Sequence, residues 1–450
     1  MNSRSETIPV REKIAYGLGD TATNLVWRTL MVFLPFFYTD VFGLSAAAVG
    51  TLLLVSRYAD GISDFLMGIL ADRSRSRWGK FRPWIIGTAI PFGVLTVLTF
   101  TTPDLGPTGK LIYAYLTYNA LLIVFTANNV PYSAMTGVMS HDPGERTLLS
   151  SYRFFFAFLG AILTQGFNTY LVDFLGQGDR VAGYQWTMTL FAVLAVVLFT
   201  ITFLNTRERV VAPERNNLEL KEDLRDLFRN KAWVILFCVG LSFVSLTTLK
   251  QGMTMYYFSY YIGSISAAAS FMVICTVGAM IGAALTGKLS ARWGKQAVMK
   301  WCFILAGVSS AALFVARPDD FVLIFVLGFI TEMATGPIVT LFFAMLADAA
   351  DYSEWKNYRR ATGLVYSAGT LAIKFGTGVG GALIGWTLTI VGYTANVEQT
   401  AESLLGIRLL ISVFPAMAAL LGLVAFRFYP ITDELLEEIR SSLEARHKRI

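Results

Sequence analysis

The stretch SRYADGISDFLMG, from Ser56 to Gly68, places charged side chains inside a long apolar run. Asp60 and Asp64 are four residues apart, so on a helix their carboxylates project within about 40° of each other, one turn apart. Asp64 lies about 12 Å, and Asp60 about 18 Å, from the nearer end of the run. A charge at such depth in a bilayer is costly unless it is paired or faces water. The stretch therefore calls for a functional explanation.

Two interpretations compete for these acids. In the first, Arg57 neutralises Asp60 as a packing pair, which leaves Asp64 unexplained. In the second, the two carboxylates, with hydroxyls or carbonyls from another helix, bind a hard cation such as Na+ or carry H+. If Na+ is the ion, Asp60 and Asp64 are the metal ligands. The second interpretation is favoured because it uses both acids.

The composition indicates a membrane protein. Of the 450 residues, 55% are hydrophobic and 15% are charged, whereas soluble domains carry about a quarter charged residues. The three cysteines fall in apolar runs without paired spacing, so neither a disulfide framework nor a zinc site is expected. Both histidines lie in polar segments, and no catalytic triad, metal motif or phosphate loop is recognisable. We therefore expect neither an enzyme nor a cofactor.

Apolar runs long enough to cross about 30 Å of hydrocarbon, at about 20 residues each, predict an all-α membrane protein with twelve transmembrane helices. The predicted spans are approximately 14–39, 45–71, 83–101, 111–137, 148–172, 185–205, 232–261, 267–288, 297–316, 321–349, 361–391 and 403–428.

The basic residues indicate the orientation of these spans. With the N-terminus in the cytoplasm, 27 Lys and Arg residues fall on the cytoplasmic side, whereas only Lys110, Arg180 and Arg317 fall on the opposite side. Cytoplasmic loops are enriched in Lys and Arg, so this split predicts that both termini are cytoplasmic. It also accounts for the net charge of +6 without a nucleic-acid partner.

The chain divides into two related halves. A long polar connection, 206–231, separates an N-terminal six-helix half, 1–205, from a C-terminal six-helix half, 232–428, and a charged cytoplasmic tail follows at 429–450. The sequence RWGK recurs at Arg77–Lys80 and Arg292–Lys295, in corresponding loops of the two halves. Duplicated halves are typical of transporters that rock around a central site.

Polar side chains at similar depth on several spans are candidates for a substrate site. Amide, hydroxyl and basic groups suit sugar hydroxyls, and aromatic faces suit a pyranose ring. Helix–helix hydrogen bonds, snorkelling and ordinary packing are the alternatives for any single residue. The candidates are Asn24, Phe125, Asn129, Tyr132, Arg153, Thr370 and Lys374.

Several motifs occur together along the chain. They are GLGDTATN (Gly17–Asn24), FFYTDVFGLS (Phe36–Ser45), RSRWGKFRPW (Arg75–Trp84), NVPYSAM (Asn129–Met135), RFFFAFLG (Arg153–Gly160), MYYFSYYIG (Met255–Gly263) and ADAADYSEW (Ala347–Trp355). In this combination the sequence resembles the glycoside–pentoside–hexuronide:cation symporters, the melibiose permease-like branch of the major facilitator superfamily. This resemblance implies the superfamily fold, a place in the bacterial inner membrane, and cotransport of a small sugar or sugar acid with Na+ or H+ by a monomer.

The resemblance also implies roles for individual residues. Asp60 and Asp64 match the family's cation-coupling carboxylates, and Thr126 matches a supporting oxygen. Ser63 stands where melibiose permease has an asparagine near its cation. The resemblance further places charged residues at a cytoplasmic gate that opens and closes as the halves rock: Glu145, Arg146, Asp351, Glu354 and Arg360.

At the sugar site, Asn24 and Asn129 replace two aspartates of melibiose permease, while Arg153 and Lys374 match a sugar-contacting arginine and a lysine between the sugar and cation regions. Since the cavity has lost two negative charges and Lys250 adds a cation, an anionic sugar acid is the expected substrate. Alternatively, Lys250 is neutralised by Asp20 or Glu332, and the cavity takes a neutral sugar. Two other functions stay open, a lipid or drug carrier of the same superfamily and a membrane sensor that does not transport.

Overall fold

The computed structural model describes residues 7–74, 76–140, 142–210, 229–357 and 362–447, and all regular structure among them is helical. This confirms the all-α prediction. The helices are α1 (Val10–Val32), α2 (Ala46–Arg73), α3 (Arg82–Thr99), α4 (Pro107–Met139), α5 (Pro143–Gly176), α6 (Arg180–Asn205), α7 (Lys231–Tyr256), α8 (Ile265–Trp293), α9 (Lys295–Ala312), α10 (Phe321–Asn357), α11 (Thr362–Ile390), α12 (Ala401–Ile411), α13 (Val413–Phe426) and α14 (Asp433–His447).

Within the described ranges, ten helical segments are long and apolar enough to cross a membrane, and one of them comprises α12 and α13 together. The helices α1 and α2 are not among the ten. These two carry Asp20, Arg57, Asp60 and Asp64, and such charges lower the apolar character of a segment. The count of twelve spans and the cytoplasmic termini remain predictions.

The first helix of each predicted half ends in the same way. A π-helical turn, Phe37–Val41, follows α1 after the short segment Leu34–Phe36, and another, Tyr257–Ile262, follows α7 directly. Each is followed by a glycine with positive φ, Gly43 at 84° and Gly263 at 76°, a conformation that glycine adopts at little cost. This recurrence is consistent with duplicated halves.

The described residues form two compact units. The first contains α1 to α6 with the short segments Ile265–Val273 and Thr394–Val397, and the second contains most of the remaining helices. In the first unit, α1 packs on α5 and α6, while α3 packs on α4 and α6. In the second, α7 packs on α11 and α13, while α9 packs on α10 and α13. The contacts of α1 and α3 in the first unit thus correspond to those of α7 and α9 in the second unit.

The two RWGK loops are held by different contacts. In the first loop, the Glu208 carboxylate accepts hydrogen bonds from the backbone N–H groups of Lys80, Phe81 and Arg82, at 2.8, 2.8 and 2.9 Å. These groups lie at the start of α3, where the helix dipole favours a negative charge. In the second loop, Lys295 Nζ lies 2.6 Å from a carboxylate oxygen of Asp348.

Glycines bring α1 and α5 close together. A Cβ on Gly160 would lie 2.9 Å from the Thr21 carbonyl oxygen, and one on Gly17 would lie 2.4 Å from the Phe156 ring. Because neither glycine carries a side chain, the two backbones approach without a clash. This close approach places α5 against the face of α1 that carries Asp20, which pairs with Arg153 of α5.

Candidate ion and sugar sites

The two acids of the opening stretch meet a hydroxyl from α4. Thr126 Oγ1 lies 3.0 Å from Asp60 Oδ1 and 2.9 Å from Asp64 Oδ1. Thr126 and Asp60 are each 2% exposed, whereas Asp64 is partly exposed. Three oxygen atoms from two helices therefore converge in a largely buried position.

The number of hydrogen atoms at this position shows what a bound proton or cation would do there. A threonine hydroxyl has a single hydrogen, which it donates fully to one acceptor at a time. With both aspartates ionised, the second short oxygen–oxygen contact would join two acceptors, and the two carboxylates would repel. A proton on one carboxyl, or a hard cation between the three oxygens, removes both problems.

Arg57 lies on the other side of Asp60. Its Nη1 is 3.5 Å from Asp60 Oδ2, and its guanidinium carbon is 4.5 Å from the centre of the Trp27 ring. Trp27 in turn stacks on Phe125 with ring centres 4.5 Å apart. Arg57 thus offsets the charge of Asp60, as the packing interpretation proposed, while Asp64 lies one turn further along α2 and is partly exposed.

Ser63 lies beside the acids, but its hydroxyl donates to the Asp60 carbonyl oxygen at 2.9 Å. The hydroxyl is thus engaged with the backbone of its own helix. Among the residues that the structure describes, no group of three or more His, Cys, Asp or Glu side chains gathers as a metal cluster. The candidate ion site consists of two carboxylates and one hydroxyl.

The two candidate sugar-binding amides lie on α1 and α4. Asn24 Nδ2 donates to the Asp20 carbonyl oxygen at 2.9 Å, which leaves its side-chain oxygen for another partner. Asn129 Oδ1 accepts from Ser133 Oγ at 3.1 Å, and Ser133 is exposed. Both amides are partly buried. They offer neutral donors and acceptors of the kind that sugar hydroxyls use.

Arg153, predicted to contact the sugar, is paired with an acid from α1. Its Nε lies 2.8 Å from Asp20 Oδ2, and its Nη2 lies 3.3 Å from Asp20 Oδ1. The hydroxyl of Tyr132, which is fully buried, lies 2.8 Å from Asp20 Oδ2 and 2.5 Å from the Tyr16 carbonyl oxygen, and the ring centre lies 4.8 Å from the guanidinium carbon. Tyr132 therefore packs against both members of the ion pair. The other aromatic candidate, Phe125, packs on Trp27.

The remaining sugar candidates lie in the second unit. Lys374 and Thr370 are one turn apart on α11, Lys374 partly buried and Thr370 exposed. Lys250 on α7 is 3% exposed and interacts electrostatically with Glu332 on α10, which is 8% exposed. Of the two acids proposed to neutralise Lys250, Glu332 lies near it, whereas Asp20 pairs with Arg153.

The predicted gate residues lie at helix ends. Glu145 is 2.8 Å from Lys13 Nζ and accepts from the Ile8 backbone N–H at 3.1 Å. Arg146 Nε donates to the Ser140 carbonyl oxygen at 2.7 Å. Asp351 and Glu354 lie in the last two turns of α10, and the remaining gate candidate, Arg360, falls outside the described residues.

Asp20 is the residue of this region whose role the sequence did not reveal. It lies in GLGDTATN, one turn before Asn24, and the sequence offered it only as a possible partner of Lys250. An acid within a membrane span needs a positive partner, so the position of Asp20 inside an apolar run could have predicted that it forms an ion pair. The choice of Arg153 depends on the close approach of α1 and α5, which residue spacing does not show.

Comparison with known proteins gives consistent matches. The family model described as MFS/sugar transport protein matches residues 15–433. Inner membrane symporter YicJ of Escherichia coli K12 is 38% identical, over 99% of this chain and 97% of that protein. Putative glycoside/cation symporter YagG of the same organism is 37% identical, over 97% and 95%. Among solved structures, a mutant of the nucleoside transporter NupG superposes with a TM-score of 0.68 at 16% identity, over 93% of this chain and 100% of that one.

Proposed function

Because the chain belongs to the MFS/sugar transport protein family, we propose that it carries a sugar together with Na+ or H+ by alternating access. The family and the relatives are transporters, which confirms the predictions of a multi-pass membrane protein and of a chain that is not an enzyme. The resemblance to the glycoside–pentoside–hexuronide:cation symporters is likewise confirmed. The choice of ion, the sugar and the site residues are the proposal.

One observation carries the proposal, the convergence of Asp60, Asp64 and Thr126 on one position. One oxygen of each carboxylate lies within 3.0 Å of the threonine hydroxyl, so a bound cation or proton would reduce the repulsion between the two acids. Intramembrane acids in such a position are typical of sites that take up an ion from a gradient. The proposal assigns the coupling ion to this site, with Arg57 stabilising Asp60.

Coupling follows from the helices that the ion and the sugar share. On α4, Thr126 lies at the ion site and Asn129 at the sugar site, less than one turn apart. On α1, Trp27 packs between Arg57 and Phe125, and Asn24 lies less than one turn before it. Occupancy of one site can therefore alter the other, and such an effect on affinity must be reciprocal.

We also propose that the two six-helix halves, 1–205 and 232–428, rock around the sugar, with the charged helix ends acting as the cytoplasmic gate. Arg146 and Asp351 are assigned to an ionic lock of one state. A contact that exists in one state only shifts the equilibrium toward that state. The description of the E. coli relative as an inner membrane symporter supports a place in the bacterial inner membrane.

Right-side-out vesicles containing the full chain provide the test. Uptake of radiolabelled glycosides, pentosides and uronides is measured with an imposed Na+ gradient, an imposed pH gradient, or neither. We expect accumulation of at least one sugar above its external concentration with one of the two gradients. If no sugar of the panel accumulates with either the Na+ or the pH gradient, cation-coupled sugar transport is refuted.

A further inference from the structure

The charge of Arg153 is already matched within its own unit. Two nitrogens of its guanidinium fork, Nε and Nη2, face the two carboxylate oxygens of Asp20 at 2.8 and 3.3 Å. This is the bidentate geometry that arginine uses for carboxylates. A sugar carboxylate that approached Arg153 would compete with Asp20 for the same edge of the fork.

The ion pair is built into three helices. The Tyr132 hydroxyl from α4 lies 2.8 Å from Asp20 Oδ2, and Arg153 Nη1 donates to Thr136 Oγ1 at 3.3 Å. The side chains of Arg153 and Asp20 are 21% and 14% exposed. Gly19 makes room for the Tyr132 ring, since a Cβ there would lie 2.5 Å from it. Ion pairs between exposed side chains exchange readily with water, whereas this pair is held in place by buried neighbours.

Beside the ion pair, the described residues of the first unit also offer neutral groups to a ligand. Arg153 Nη2 also donates to Ser133 Oγ at 3.3 Å, and Ser133 donates to Asn129 Oδ1. Asn129 and Ser133, together with Asn24, present amides and hydroxyls. Such groups bind hydroxyls well but do not offset the charge of a carboxylate.

A second basic side chain that the sequence offered for an anion also has an acid in its surroundings, although its Nζ makes no hydrogen bond with that acid. Lys250 in the second unit is 3% exposed and interacts electrostatically with Glu332. Glu332 also accepts a hydrogen bond from Thr335 Oγ1 at 3.0 Å. A substrate carboxylate beside Lys250 would therefore lie close to a second negative group.

We propose that Asp20 is a specificity-determining residue that makes the sugar site select neutral glycosides and reject sugar acids. The inference rests on the proposed function and reverses the expectation of an anionic substrate. It predicts that the loss of the two melibiose permease aspartates does not create an anion site, because Asp20 restores one negative charge on α1.

Matched pairs of ligands test the proposal: methyl β-glucoside against methyl β-glucuronide, and methyl β-galactoside against methyl β-galacturonide. The members of each pair differ only at C6, where a hydroxymethyl group becomes a carboxylate. Binding to the purified full chain in nanodiscs is measured by calorimetry at pH 7, with and without Na+. We expect the wild-type chain to bind the neutral member of at least one pair about tenfold more tightly or better, because a like charge beside a buried acid is strongly unfavourable.

The variant Asp20→Asn frees Arg153 and should reduce this neutral-to-acid preference by about tenfold or more, toward the uronide. The double variant with Asp20→Asn and Arg153→Gln should lose that gain, because the cation is absent. Asp40→Asn is the matched control, since it removes another buried acid of the first unit that makes no ion pair with Arg153. It should leave the preference unchanged.

Equal or tighter binding of the uronide by the wild-type chain would overturn the inference alone, and so would an unchanged preference in a folded Asp20→Asn variant. If Asp20→Asn does not fold, the wild-type ratio and the double variant, which removes both charges, still decide. If no member of any pair binds and no sugar shows gradient-driven uptake, the proposed function is overturned as well.

Discussion

Arg57 and Asp60 form an ion pair of 3.5 Å between Nη1 and Oδ2, and their side chains are 1% and 0% exposed. Asp64, one turn further along α2, is partly exposed and contacts Thr126. The two acids of one short stretch thus have different surroundings. Asp60 neutralises the buried charge of Arg57, whereas Asp64 is the more accessible of the two acids.

This difference predicts that Asp60→Asn destabilises the protein more than Asp64→Asn. Removing one partner of a buried ion pair costs about 3 kcal/mol, because the other charge stays buried without compensation. Thermal unfolding of the purified variants is the measurement. Adding Arg57→Met to Asp60→Asn should restore part of the loss. Equal unfolding temperatures for Asp60→Asn and Asp64→Asn would contradict the assignment.

Asp64→Asn should fold, bind sugar and yet fail to accumulate it. Asparagine keeps the shape of the side chain but cannot accept the ion's charge, so the gradient no longer drives transport. Sugar binding by calorimetry and uptake into energised vesicles separate the two properties. Full active transport by this variant would remove Asp64 from the coupling role.

The hydroxyl of Thr126 should matter for ion binding in a way that other hydroxyls of α4 do not. Thr126→Val deletes an oxygen that contacts both acids, and hydrogen bonds to charged groups contribute about 1.5–3 kcal/mol. The ion concentration for half-maximal uptake should rise about tenfold or more. Thr117→Val is the control, because the Thr117 hydroxyl bonds the Tyr113 carbonyl of its own helix. A similar rise in both variants would point to a general effect on α4.

A methyl group at Gly160 should have the opposite effect to one at Gly68. A Cβ on Gly160 would meet the Thr21 carbonyl at 2.9 Å, whereas nothing lies within 4 Å of a Cβ on Gly68. Overpacking costs about 1–3 kcal/mol, while alanine gains up to about 1 kcal/mol over glycine in a helix. Gly160→Ala should lower the unfolding temperature and weaken sugar binding, and Gly68→Ala should do neither. A stabilised Gly160→Ala variant would show that α1 and α5 are further apart.

Glu208→Gln should loosen the first RWGK loop. Glutamine keeps one acceptor oxygen, so it loses at least one of three backbone hydrogen bonds and the favourable charge at the start of α3. Amide hydrogen exchange of residues 80–82 should become faster. Glu398→Gln, at an exposed glutamate, should leave these amides unchanged. Unaltered protection in Glu208→Gln would mean that another group closes the loop.

Residue depth and spacing predicted the helical fold and the pairing of Asp60 with Asp64 on one helix face, because a charge within an apolar run is conspicuous by itself, whereas Thr126 was expected only from the family resemblance. They did not predict the partner of Arg153. That pairing depends on which faces of α1 and α5 meet, and on glycines whose effect appears only when the backbones are close. Glu208 was not foreseen either, since it binds backbone amides 126 to 128 residues away, and backbone groups leave no trace in a sequence.

Arg57 has one further consequence, which is optical. The same guanidinium that pairs with Asp60 covers the indole of Trp27, and the emission of an indole responds to a nearby charge. Arrival of an ion beside Asp60 alters the field that Arg57 and the acids together impose on that ring. The molecule therefore carries a fluorophore beside its proposed ion site, and a variant with Trp27 as the sole tryptophan would report ion occupancy as a change in emission wavelength or intensity, without an added label.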